Sequence, residues 1–498
     1  MNIAMLLQMA AEVGGDRTAL TCHHQHYSYS ALFDAAKVAA QTFSVRGCEY
    51  VSVLDTSNPA VPVAMMGAAM AGIPYVPVNY RLASDRLDAL IERIEPAYLV
   101  TNSEQAGKYD GRDGLTVQTS DDFLAAMLDK PAPDISWPDD PSAIAVQLFT
   151  SGTTGTPKAA LLRHEHLMSY ILGSVEFASA EEHEATLVSV PPYHIAGISA
   201  LMSSLYAGRR IVFLPDFGAA AWLELVEHEK VTNAFVVPTM LSRVIDHLDT
   251  IEHEPDADSL KAIAYGGGKM TMPVISRALE LFPNVNFTNA YGLTETSSTI
   301  TLLTPDDHRD ALASDDPNVR RRLGSVGKAL PSVEIEIRDE DGKLLGANQA
   351  GEIYVRGPQV SGEYKERSAL DAEGWFPTRD AGEMDDEGFL FLTGRADDVI
   401  VRGGENISPS EIEDVLLEHA AIADAAAVAV PSDEWGETVG IAVVLKPGGE
   451  TNVHELQHLI KSTLRSSRVP EHVLFVEDEL PYNEMGKLLR REIKLLFQ

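Results

Sequence analysis

The sequence predicts an α/β protein in which a large layered N-terminal domain with a β-rich subdomain is followed by a small, mobile α+β C-terminal domain. Three observations carry this reading. Over roughly the first 380 residues, short β-rich runs alternate with helical stretches, as buried parallel strands in a layered fold do. Around residues 333–355 the pattern changes to short strands punctuated by Gly and Pro. Beyond residue 397 a new set of helix and strand signals makes up a compact unit of about 100 residues, an ordinary domain size.

The first of these patterns places strands at residues 50–54, 97–101, 144–149, 185–190, 210–214 and 234–237, and the second at 333–337 and 351–355. Residues 1–15 lack a basic leader region and read as an amphipathic helix rather than a signal peptide. In the C-terminal unit, Ser408-Pro409-Ser410-Glu411 has an N-cap Ser, Pro at the first helical position and an acid in the first turn, ahead of Ile412, Val415 and Leu416 on one face. Strands are expected at residues 425–430, 439–445 and 473–476, and a helix opens at Asn452 with Glu455 three residues on. The boundaries predicted are 1–394 for the large domain, 395–398 for a hinge and 399–498 for the small domain.

Composition narrows the function. A 498-residue chain that is 45% hydrophobic can bury more than one core. Its net charge of −35 repels polyanions, which argues against nucleic acid as a partner. No run approaches the ~20 apolar residues of a membrane span. Two cysteines give neither a disulfide framework nor a metal cluster, and fit a cytoplasmic setting. The scarce basic residues concentrate near the C-terminus, at Lys461, Arg465, Arg468, Lys487, Arg490, Arg491 and Lys494; this suits phosphate binding, or simply the dipole of a final helix.

The most chemically telling stretch is 148–158. It packs Thr150, Ser151, Gly152, Thr153, Thr154 and Lys158 into a loop after an apolar strand. Glycines admit phosphate oxygens to backbone N–H groups, hydroxyls add donors, and lysine neutralises a leaving pyrophosphate. Pro157 before the lysine and Ala159 after it exclude a Walker A loop. A Ser/Thr/Gly surface turn is the plain alternative, and it explains the paired hydroxyls less well.

This loop resembles the signature of the adenylate-forming superfamily of acyl-CoA synthetases, luciferases and peptide-synthetase adenylation domains, most of all an acyl-CoA synthetase. Four further segments resemble that family's motifs in the right order. They are Asn289-Ala290-Tyr291-Gly292-Leu293-Thr294-Glu295, Gly374 to Asp380, Gly394-Arg395 through Gly403-Gly404 to Glu413, and Asn483 to Lys487. The resemblance implies ATP, Mg²⁺ and coenzyme A as cosubstrates or cofactor, and a small-molecule carboxylate as substrate, with a fatty or other hydrophobic acid expected.

It further implies that Tyr291 stacks on adenine, Glu295 beside Thr294 binds Mg²⁺, Asp380 accepts from the ribose, and Arg395 reaches the ribose or phosphates. Lys487 is implied as the catalytic lysine, Asp397 as the hinge, and Gly403 and Gly404 as the passage for the thiol. Trp435 matches a position that contacts the coenzyme A nucleotide in some ligases; a surface-packing Trp is the alternative. Pro191 to Gly197 resembles the segment gating the carboxylate, so that His194 donates to it, shields it, or is a satisfied core histidine. Gly266, Gly267 and Gly268 would wall the adenine and acyl sites with room for a bulky chain, while Lys269 could instead mark a polar or acidic substrate.

Two positions depart from the family pattern, both where glycine is common: Ala159, and Arg379 before Asp380. A homodimer, a separate carrier protein as acyl acceptor, and a non-catalytic nucleotide-binding paralogue stay open at this point.

Overall fold

The computed structural model describes residues 1–150, 157–251, 256–403, 405–432, 434–482 and 488–497, with Asp397 and Asn406 described by their backbone alone. Among these residues the N-terminal part contains two large sheets. One has nine strands. Its centre, from Asn286–Leu293 through Ala262–Gly266, Asn233–Val236, Ala185–Val188 and Arg210–Phe213 to Thr18–Cys22, is parallel, and antiparallel strands close both edges. The other has eight strands, with Ile144–Thr150, Tyr75–Pro77, Tyr50–Leu54, Ala97–Thr101 and Leu115–Thr119 parallel. Lys158–Arg163 then runs antiparallel to Ile144–Thr150.

Central parallel strands are covered on both faces, which is why they appear in the sequence as continuous apolar runs. A single apolar cluster joins the two sheets: Leu20, Val188 and Ile211 from one and Val51, Tyr75 and Val146 from the other pack with the helices between them. Helix Tyr29–Arg46 is typical of those helices. Ser28 Oγ accepts from the Ala31 amide at 3.1 Å to cap its start, and Gly47 ends it in the left-handed region at φ 66°.

A four-stranded antiparallel sheet of Glu334–Arg338, Gly351–Arg356, Phe376–Met384 and Leu390–Arg395 forms the β-rich subdomain. The C-terminal unit is a five-stranded mixed sheet with its own apolar clusters, built on Ile412, Leu416, Ile441 and Ile460 on one face and Val428, Ala442 and Ile493 on the other. Among the described residues no helix is long and apolar enough to cross a membrane.

The strands expected from the sequence are all present, with bounds shifted by three residues at most. Two local expectations are corrected. Ser408 precedes helix Pro409–Leu417 but does not cap it, because its hydroxyl donates to the Thr393 carbonyl instead. Two members of the C-terminal basic cluster are engaged within their own unit and not free for phosphate: Arg468 is committed to Glu405 and Glu411, and Arg490 to Glu413.

Candidate functional site

The C-terminal ends of the parallel strands and the neighbouring β-rich sheet supply the first group of side chains. Strand Asn286–Leu293 carries Asn289, Ala290, Tyr291 and Gly292. It lies so close to Ala262–Gly266 that a Cβ on Gly266 would sit 2.1 Å from the Ala290 carbonyl oxygen, so glycine is obligatory there. Asn289 spends its side-chain amide on the Ser325 carbonyl at 3.1 Å. The buried Tyr291 donates its hydroxyl to Asp380 Oδ2 at 2.7 Å.

Asp380 and Arg395 are directly opposed in antiparallel register, which brings the guanidinium to 2.6 Å from Asp380 Oδ1. Burial opposes the charge on Arg395, yet the Asp380 carboxylate holds its pKa above the ordinary arginine value. Burial, reinforced by the Asp380 charge, pushes the Tyr291 phenol far up, so it remains a donor.

A second group surrounds Glu295, which is 8% exposed in the short 3₁₀ turn Thr294–Thr296. Its backbone carbonyl accepts from the amides of Ser361 and Gly362 at 2.8 and 3.1 Å. Its Oε1 accepts from the Tyr364 hydroxyl at 2.6 Å. The Lys158 ammonium lies 5.6 Å from the centre of the same Tyr364 ring. Tyr364 thus sits between the lysine of the loop and the acid of the 294–296 turn. The chain leaving that loop is anchored as well: Arg93 donates to the Pro157 carbonyl at 2.6 Å. Ala159, one of the two departures, is fully buried in its strand beside Lys158.

Neither Tyr364 nor Arg93 was singled out from sequence. Tyr364 stands in a two-residue strand with no pattern of its own, and only the pairing of that strand with Lys158–Arg163 brings it into place.

On the acyl side, the turn at Pro191 and Pro192 closes over Gly197 and leaves His194 at the start of helix Ile195–Ala207. Tyr193 stacks obliquely on the His194 ring at 4.4 Å and meets Tyr80 edge-on at 5.3 Å. His194 Nε2 is buried and has no hydrogen-bond partner among the described residues. Burial, with the Arg81 charge nearby, lowers its pKa to about 4, and the ring is neutral at pH 7. Behind the turn lies a small void of about 10 Å³, room for no more than about one water, with an apolar lining that includes Val188, Val190, Ile198, Leu201 and Phe213.

Gly267 and Gly268 are exposed beyond the buried Gly266. Lys269 reaches the C-terminal unit: its ammonium is 2.7 Å from Asp414 Oδ1 and donates to the Ser410 carbonyl at 3.3 Å. The Thr150 hydroxyl lies 3.5 Å from the Lys158 carbonyl.

Gly403 and Trp435 lie together in the C-terminal unit. Gly403 has φ 58°, its amide donates to the Trp435 carbonyl at 3.0 Å, and a Cβ there would press to 2.9 Å from the indole ring. Trp435 is 42% exposed with the Arg402 guanidinium 5.6 Å over its ring. Ser151, Gly152, Thr153, Thr154, Gly404, Lys487 and the Asp397 side chain lie outside the described residues.

The donor set fits a magnesium nucleotide. One buried carboxylate keeps an oxygen that Tyr364 does not use, and Mg²⁺ is commonly held by one or two carboxylates with the substrate's own phosphates. Among the described residues no group of three or more His, Cys, Asp or Glu side chains forms a self-sufficient metal site.

Comparison with known proteins agrees with this geometry. The AMP-binding enzyme family model matches residues 7–365, and the model of the AMP-binding enzyme C-terminal domain matches residues 411–487. The 2-succinylbenzoate–CoA ligase of Bacillus cereus is 30% identical over 502 aligned residues, covering 99% of this chain and 98% of that protein. The o-succinylbenzoate CoA synthetase of Bacillus subtilis, solved with its acyl-adenylate, superposes with a TM-score of 0.83 at 28% identity over 98% of this chain and 97% of that one. It has also been solved with ATP and a magnesium ion. The amide bond synthetase of Marinactinospora thermotolerans superposes with a TM-score of 0.87 at 26% identity, over 99% of each chain. The expectation of a fatty acid finds no support in these ligases, which act on 2-succinylbenzoate.

Proposed function

The chain belongs to the AMP-binding enzyme family, and on that premise we propose that it is an AMP-forming acid–thiol ligase acting on a small-molecule carboxylic acid, with ATP, Mg²⁺ and coenzyme A. The observation that carries this reading is the chain of contacts Lys158–Tyr364–Glu295 beside Tyr291–Asp380–Arg395. It joins one cation for phosphates, one carboxylate for a metal and one carboxylate for a diol.

In the first step a carboxylate oxygen attacks the α-phosphorus of ATP, the bond to the bridging oxygen breaks, and pyrophosphate leaves. In the second the thiol sulfur attacks the acyl carbonyl, AMP leaves, and the thiol proton passes to solvent. The nucleophile of the first step is already ionised at pH 7, so the protein's task is to position two anions and offset their repulsion. Lys158 neutralises charge on the departing pyrophosphate. Asp380, held rigid by Tyr291 and Arg395, accepts from the ribose hydroxyls, and Lys487 bridges the carboxylate and the α-phosphate. Mg²⁺, when bound at Glu295, neutralises charge on the triphosphate.

Neutral His194 shields the carboxylate from water and offers it a donor. In the orientation seen here the Lys269 ammonium is engaged by Asp414 of the C-terminal unit. Among known substrates of the relatives, 2-succinylbenzoate is the first acid to test. Gly403, whose ring contact with Trp435 leaves no room for a side chain, lines the path for the thiol in the second step.

The test is mass spectrometry of products from ATP, Mg²⁺ and a panel of carboxylic acids, with and without coenzyme A. Acyl-CoA is the expected product with coenzyme A, and Lys487→Ala is expected to abolish carboxylate-dependent ATP–pyrophosphate exchange while ATP still binds. Acyl-AMP that accumulates unchanged in the presence of coenzyme A would reassign the acceptor, for instance to a carrier protein. Absence of any adenylate across a broad panel would leave only nucleotide binding.

A further inference from the structure

Lys269 follows Gly266, Gly267 and Gly268 at the end of strand Ala262–Gly266, and so belongs to the N-terminal part of the molecule. Both partners of its ammonium belong to the C-terminal unit: Asp414 Oδ1 at 2.7 Å and the Ser410 carbonyl at 3.3 Å. These two residues are four apart on helix Pro409–Leu417 and lie on one face of it. The helix is rigidly part of its unit. Ile412, Val415 and Leu416 pack into the C-terminal core, while Glu413 is 4% exposed, paired with Arg490 and accepting from the Ala427 amide at 2.8 Å. Arg490 in turn lies 3.7 Å from Asp398 at the hinge. A force on Lys269 is therefore transmitted to the whole C-terminal unit and to the segment on which it turns.

We infer that Lys269 is a latch between the glycine loop and helix Pro409–Leu417, biasing the C-terminal unit toward the orientation seen here. This rests on the two-step reading above, in which that unit reorients between adenylation and thiol transfer. The pair is partly exposed, with 40% and 56% of the two side chains accessible, so it is a modest and salt-sensitive bias rather than a lock. A modest bias suits a unit that must leave its position in every cycle.

The decisive measurement is a charge-swap cycle in the full-length protein. Lys269→Ala and Asp414→Ala are each expected to raise the rate of trypsin cutting at Arg395 and Arg402 about three- to fivefold, with the double variant no faster than either single one. Both are expected to change the ratio of acyl-CoA formation to ATP–pyrophosphate exchange by a similar factor. The swap Lys269→Asp with Asp414→Lys is expected to restore both readouts. Unchanged cutting in the single variants, or a swap that fails to restore it, overturns the latch. So does a raised KM for the carboxylic acid with cutting unchanged, which would assign Lys269 to substrate binding. Cutting rates need no substrate, so they decide the latch even if no acid tested is activated.

Discussion

Arg379 shows how far a single residue can be read from sequence. Its departure from glycine was visible, and the question it raised was whether the ribose end of the site could keep its shape. The backbone there takes φ 63°, the left-handed region that glycine enters freely, and the arginine is forced into it. The side chain then turns outward: it is 60% exposed, with Nε 3.8 Å from Glu352 and the amide donating to the same carboxylate at 3.3 Å. Asp380 keeps its register opposite Arg395, so the strain is local. Arg379→Gly should relieve it. Against the extra freedom that glycine has when unfolded, the net gain should be about 0.5 kcal/mol, with the KM for ATP within twofold of the parent. Urea unfolding checks the sign, and a variant no more stable than the parent would contradict the strain. Glu295, Asp380 and Arg395 could be named from their motifs, but their hydrogen bonds could not. Nor could the burial of His194 Nε2 be read from a Pro-Pro-Tyr-His string, because it depends on side chains from distant segments closing around it.

At the scale of elements, the long parallel strands were readable because burial on both faces leaves an unbroken apolar run. The two-residue strand Glu363–Tyr364 was not, since its place comes from pairing across the chain. Tyr364 opposes Ala160, and Arg163 grips Glu363, 200 positions away in sequence, with bonds of 2.9 and 2.8 Å. That pairing places the Tyr364 hydroxyl on Glu295 and its ring under Lys158. Tyr364→Phe keeps the ring and the ammonium–ring contact but removes a hydrogen bond to a charged group, worth about 1.5–3 kcal/mol. Carboxylate-dependent ATP–pyrophosphate exchange should fall about tenfold or more while the fold is retained. Exchange within twofold of the parent would mean that Glu295 needs no such support. The Ser408 correction has the same origin: a cap signal is local, but the hydroxyl was claimed by Thr393 in another element.

For the molecule as a whole, buried histidines set the response to acid. Burial lowers the pKa of His164 and His194 to about 4, and lowers those of His166 and His308 as well. A histidine whose folded pKa lies below its unfolded value binds fewer protons when folded. Its stability contribution is complete above the unfolded pKa near 6.5 and is lost as pH falls from there toward 4. The net charge of −35 works the other way, because protonating carboxylates eases self-repulsion, but a carboxylate of ordinary pKa is still mostly ionised at pH 5. The urea midpoint is therefore expected to be lower at pH 5 than at pH 7, and an equal or higher midpoint at pH 5 would show that surface charge dominates. The two large sheets are fused through one apolar cluster, whereas the C-terminal sheet closes on clusters of its own. Gene rearrangement could not divide the first pair without exposing their common interior, but it could exchange the last hundred or so residues as a cassette. A transplanted cassette would have to match its host only at the hinge, at the acid that meets Lys269 and at the face it turns toward the nucleotide. New acceptors could thus arise around an unchanged adenylating body.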